Sequence, residues 1–131
     1  MRGLTLGLLL VLMCLPLGVQ GEESIKQLFL LQEDGRLVVS NNKFSRFDEL
    51  KLNAREKVLD TLEANSVAVI YTNQRIIGYG VLSGFRDIKT EAGERLAELK
   101  GEDYAALVVT SRRLLNFNGK SGVWGERKRS K

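Results

Sequence analysis

Three stretches of the chain repeat one pattern at intervals of 39 and 38 residues, and this periodicity limits the possible folds more than any other property of the sequence. The first stretch runs Leu28-Phe29-Leu30-Leu31, a turn at Glu33-Asp34-Gly35, then Arg36-Leu37-Val38-Val39. The second runs from Val67 to Gln74, then Arg75-Ile76-Ile77-Gly78-Tyr79, and the third from Ala105 to Arg112, then Arg113-Leu114-Leu115-Asn116-Phe117. The register continues beyond the arginines: Phe47, Phe85 and Trp124 follow them by ten or eleven residues, and the acids Glu49, Asp87 and Glu126 stand two positions further on. Glu56-Lys57-Val58-Leu59 precedes the second stretch and Glu94-Arg95-Leu96-Ala97 the third, with no comparable segment before the first.

Each unit therefore reads as an apolar run, a two-residue polar turn, a second apolar run, a Gly/Asn loop and an aromatic-led third run. That order of short runs and turn residues predicts an antiparallel β-meander, and the preceding segment adds a fourth strand. About four strands in roughly 40 residues resembles a β-propeller blade. The resemblance implies an all-β fold of repeated antiparallel β-meanders, with units 22–51, 52–89 and 90–126 in one repeat domain, 22–126. Trp-Asp and Gly-His signatures are absent, so no particular propeller family is indicated. Two alternatives compete. Residues 52–64 and 91–100 are rich in helix formers and Asn53 with Glu56 fits a capping box, which would give an α+β fold with two short helices. Val108 to Leu115 also resembles the strand-turn-strand entry of pleckstrin-homology-like modules. Strands are favoured, because the apolar stripes of both segments are thin for helices. Three blades are fewer than the four to eight of a closed propeller, so a homo-oligomer is expected, with two chains supplying six blades.

Arg2, the apolar run from Leu4 to Val19 and the small-residue site ending at Gly21 have the layout of a secretory signal peptide over 1–21, cleaved before Glu22. A secreted or periplasmic location follows. The run is shorter than the roughly 20 residues of a membrane-spanning helix and Pro16 breaks its end, so no transmembrane anchor is expected after cleavage. Lipidation of Cys14 is the alternative; it is disfavoured because large Met13 precedes the cysteine.

All the Cys, Pro and Met of the chain lie in this leader and there is no His, so the mature chain forms no disulfide. Ser-His-Asp and Cys-His nucleophiles, His or Cys zinc sites and soft copper sites are excluded with them. No metal, cofactor or catalytic residue is expected, and the chain reads as a non-enzymatic binding or structural module. Gly119-Lys120-Ser121 lacks the earlier glycine of a phosphate loop, since Leu114 occupies that place, and Gly78-Tyr79-Gly80 has Ser83 where a dinucleotide fingerprint needs glycine.

The net charge of +4 belongs largely to the ends. Removing Arg2, Arg127, Lys128, Arg129 and Lys131 from the 20 basic residues leaves 15 against 16 acids, so no basic face for nucleic acid is expected. The basic tail 127–131 reads as a solubilising end or, through those same four residues, as a contact for anionic cell-surface polymer or lipid head groups. The recurring positions Arg36, Arg75, Arg113, Phe47, Phe85, Trp124, Glu49, Asp87 and Glu126 are the candidate ligand-binding set, resembling in kind the sugar-grasping residues of small propeller lectins, with glycan as ligand. The competing structural reading packs each aromatic between sheets and pairs Arg75 with Asp87, and Arg113 with Glu126, across neighbouring strands.

Overall fold

The computed structural model describes residues 26–130; the expected leader 1–21, its cleavage site, Cys14 and the terminal Lys131 lie outside the described residues. Eleven strands form three antiparallel meanders, and no helix occurs among the described residues. The first sheet comprises β1 (Leu28–Glu33), β2 (Arg36–Asn41) and β3 (Arg46–Lys51). The second has four strands, β4 (Val58–Glu63), β5 (Val67–Thr72), β6 (Arg75–Gly80) and β7 (Gly84–Lys89). The third repeats that order with β8 (Leu96–Glu102), β9 (Ala105–Thr110), β10 (Arg113–Asn118) and β11 (Val123–Lys128). The all-β fold of blade-like meanders expected from the repeat is the one that forms.

The helix-forming segments become β4 and β8. Asn53 and Glu56 make half of a capping box: the Asn53 N–H donates to the Glu56 carboxylate at 2.8 Å, while the Glu56 N–H closes a single turn on the Asn53 backbone carbonyl at 3.1 Å. The turn stops after one cycle because the chain then pairs with β5, which offers a full ladder of backbone partners. Both β4 and β8 carry a bulge at the equivalent place, between Val58 and Asp60 and between Leu96 and Glu98. Positive φ recurs at the entry to each last strand, at Ser45 (55°) just before β3, Gly84 (81°) opening β7 and Gly122 (76°) just before β11, so the backbone repeats even where the residue type does not. The last strand reaches Lys128, two residues beyond the expected edge of the domain at 126, because Arg127 pairs with Leu114 and Lys128 with Arg113.

The sheets stack face to face. Inward residues of the first sheet (Leu28, Leu37, Val39) meet Ala68, Ile70, Ile77 and Tyr79 of the second. The opposite face of the second sheet (Val67, Val69, Tyr71, Ile76) meets Ala106, Val108, Leu115 and Phe117 of the third. Strand neighbours point to opposite faces, so β5, covered on both, is apolar from Val67 to Tyr71 with every residue of the strand buried, whereas β9 alternates. The stack curves about one point. Equivalent residues Gln27, Ser66 and Tyr104 converge there, and the Gln27 Oε1 accepts from both the Ser66 Oγ (2.7 Å) and the Tyr104 hydroxyl (3.1 Å).

Candidate functional site

The repeated arginines open β2, β6 and β10, directly after each hairpin turn. In the second sheet Arg75 reaches back to Glu56 with two bonds, Nε at 2.9 Å and Nη2 at 3.0 Å, while Nη1 meets Asp87 at 2.9 Å. Its Nη2 also donates to the Lys51 carbonyl of the first sheet, at 3.2 Å. Arg113 repeats the arrangement: Nε and Nη2 hold Glu94 at 2.7 and 2.9 Å, Nη2 donates to the Lys89 carbonyl of the second sheet at 2.6 Å, and Nη1 stands 3.5 Å from Glu126. A threonine three residues before each arginine, Thr72 or Thr110, donates its hydroxyl to the same glutamate. Each glutamate thus accepts four bonds, including one backbone N–H, from Asn53 or Glu91.

Glu56 and Glu94 have wholly buried side chains, and Arg75 and Arg113 are 13% and 4% exposed. Burial alone would raise the Glu94 carboxyl, but hydrogen bonds from Arg113, Thr110 and the Glu91 N–H, with the Arg113 charge, hold it down at about 2. The same balance lowers Glu56, and both guanidiniums are pushed up by their carboxylates. A carboxylate saturated by four donors and shielded from water neither attacks a substrate nor exchanges a proton near neutrality. These two clusters are latches: each closes its own hairpin and pins it to the preceding sheet.

Arg75–Asp87 and Arg113–Glu126 pair as the structural reading of the sequence expects. The principal partners, Glu56 and Glu94, were not recognised from the sequence. Their signal was a glutamate 19 residues before each of two arginines, with a threonine at the third position before it.

The aromatic positions divide similarly. Phe85 lies edge-on to Tyr79, ring centroids 4.8 Å apart, between the first and second sheets. Trp124 packs on Phe117 at 4.9 Å between the second and third and donates its indole N–H to the Arg86 carbonyl at 3.2 Å. Phe47, in the first unit, is 67% exposed. Its companions are also accessible: Arg36 and Glu49 pair at 3.0 Å with about half of each side chain exposed. Of the nine recurring positions, the structure therefore leaves the trio Arg36, Phe47 and Glu49 together on an open surface.

That surface is the outer face of the first sheet, where Phe29, Leu31 and Phe47 are 50%, 47% and 67% exposed beside Val38. Register places Phe29, Ser40 and Phe47 in one row and Leu31, Val38 and Glu49 in the next. At the other end of the stack, the outer face of the third sheet bears half-buried Leu107, Val109 and Leu114, flanked by Lys100, Glu102 and Arg127. Of the basic tail, Lys128 pairs with Glu91 at 2.7 Å and Arg129 donates to the Thr110 carbonyl at 2.8 Å, while Arg127 is exposed.

No protein-family model matches the chain, and no curated protein matches it. Among solved structures it is similar to the N-terminal domain of Nup159, at 14% identity and a TM-score of 0.43, over 81% of this chain and 31% of that one. The chain thus spans about a third of the length of that structure.

Proposed function

We propose that the mature chain is an exported, non-enzymatic binding or structural module that assembles with another copy. The observation that carries this reading is the outer face of the first sheet. Phe29, Leu31 and Phe47 stand exposed around the buried Val38, a grouping of large apolar side chains of the kind that marks an interaction site, while the equivalent residues of the other sheets pack against a neighbour. Light scattering of the chain beginning at Glu22 tests the reading: a mass above that of one copy is expected, and a strict monomer across the concentration range contradicts assembly. Mass spectrometry of the exported protein tests the route, with a free Glu22 expected and a lipidated Cys14 contradicting it.

A second reading is favoured by one feature, the accessible trio Arg36, Phe47 and Glu49. An exposed ring beside a guanidinium and a carboxylate is suited to stacking on a sugar while bonding its hydroxyls. A glycan array in which the chain binds and Phe47→Ala abolishes binding supports this lectin-like use, and an array with no binder removes it.

A further inference from the structure

We infer that the free outer face of the first sheet is the docking site for the free outer face of the third sheet of a second copy, joining the chains head to tail. The inference rests on the assembly reading above and names the two surfaces that meet. Its warrant is the internal repeat, which shows twice what covers such a face. Between the first and second sheets, Ala68, Ile70, Ile77 and Phe85 lie on the covered face of the later sheet; between the second and third, Ala106, Val108, Leu115 and Trp124 do. The same four places in the first sheet are Phe29, Leu31, Val38 and Phe47, equally apolar, with no earlier sheet against them among the described residues.

The complementary face repeats too. Val67, Val69, Tyr71 and Ile76 of the second sheet receive the third, and the matching places in the third sheet are Ala105, Leu107, Val109 and Leu114. Its rim is more polar, with Lys100, Glu102 and Arg127 where the second sheet has Leu62, Ala64 and Ile88. An apolar centre inside a charged rim is the anatomy of a surface that stays soluble until its partner arrives.

Polar contacts extend the series. Arg75 and Arg113 each donate to the carbonyl of the last residue of the preceding sheet, Lys51 or Lys89. Lys128 holds that place at the end of β11, and Arg36, half exposed, is the arginine in register to reach it from the next copy. Nearer the centre of curvature the Gln27 N–H bonds the Asn65 carbonyl and the Ser66 N–H bonds the Asp103 carbonyl. The next step joins the Tyr104 N–H of one copy to the Lys26 carbonyl of another. Each such contact joins unlike faces, and two copies that each use both faces are related by a two-fold axis and close into a ring of six sheets.

The test uses the chain from Glu22 with two exposed-face variants, Phe47→Asp and Leu107→Glu, and the milder Arg36→Ala, all checked for unchanged far-ultraviolet circular dichroism. Light scattering and sedimentation should show the unmodified chain at twice the mass of one copy. Each charge variant should weaken self-association by about tenfold or more, since burying an unpaired charge costs well over the 1.4 kcal/mol of one decade. Mixing Phe47→Asp with Leu107→Glu should restore a mixed pair, because one intact interface remains available between them. If Leu107→Glu leaves the dimer untouched while Phe47→Asp breaks it, the first sheet pairs with itself and the head-to-tail inference fails, although assembly stands. If the unmodified chain is monomeric throughout, assembly and the inference fail together.

Discussion

The first and second sheets share a backbone plan and differ in what closes them. The second has four strands, neighbours on both faces and an arginine locked to a buried glutamate; among the described residues the first has three strands, one covered face and an arginine half in solvent. The comparison teaches that the conserved geometry of a repeat is not the same as a conserved environment. Arg36, Arg75 and Arg113 occupy one structural place, yet two of them are stability elements and one is surface. In the first unit the threonine position is Glu33, and the place 19 residues before Arg36 lies outside the described residues.

The latches offer the largest break in this comparison. Removing one partner of a buried, hydrogen-bonded ion pair strands the other charge, so Arg113→Met should cost about 3–5 kcal/mol in urea unfolding, and Arg75→Met about as much. Arg36→Met should cost less than about 1 kcal/mol, as befits an exposed pair. Near-equal costs at all three positions would erase the distinction between sheets.

A smaller effect separates the two sheet interfaces. A Cβ on Gly78 would lie 2.9 Å from the Phe117 ring, and one on Gly80 would overlap the Gly119 carbonyl oxygen, whereas Val39 and Asn41 occupy the matching places of the first sheet. Gly80→Ala should therefore destabilise by about 1–3 kcal/mol through overpacking that the backbone of Gly119 cannot relieve. Thermal unfolding measures it; an unchanged melting temperature would show the second and third sheets able to separate as freely as the first and second.

The interfaces also differ in their response to pH. Glu94 titrates near 2 in the folded chain against an ordinary 4.5, so its stabilisation is complete above about 4.5 and is lost as pH falls towards 2. Unfolding free energy should drop across that window, with a shallower drop in Glu94→Gln. Between the first and second sheets the sensitive group is Tyr79. Burial and the hydrogen bond it donates to Asp48 push its hydroxyl up to about 12, although Asn41 also donates to it. Its contribution holds below about 10 and is lost as pH rises towards 12. Tyr79→Phe should cost about 1 kcal/mol at neutral pH and flatten the alkaline limb.

Much of this architecture was legible in the sequence because it is local. Two-residue turns such as Asp34-Gly35, the aromatic-led third runs and the 38–39-residue period all lie within one unit, and they predict the meanders. The fully buried β5 was also visible in principle, since Val67 to Tyr71 never alternates with polar residues, as a strand covered on both faces requires. The latches were harder. Glu56 and Glu94 stand in segments of helix-forming composition, and their partners are reached only after a strand has returned across the sheet. The segment's local preference expresses itself in one turn, at Asn53 to Glu56, before pairing with β5 overrides it. Exposure was not legible at all: Phe47 and Phe85 are the same residue in the same register, and only the presence of a neighbouring sheet distinguishes them.

Amide hydrogen exchange at a series of protein concentrations tests the difference between closed and open sheets most directly. Slowest exchange is predicted in β5 and β6 at every concentration, with β1 to β3 fast in dilute solution and progressively protected, together with β8 to β11, as concentration rises. A first sheet as protected as the second in the most dilute sample, with no change on concentration, would contradict the account.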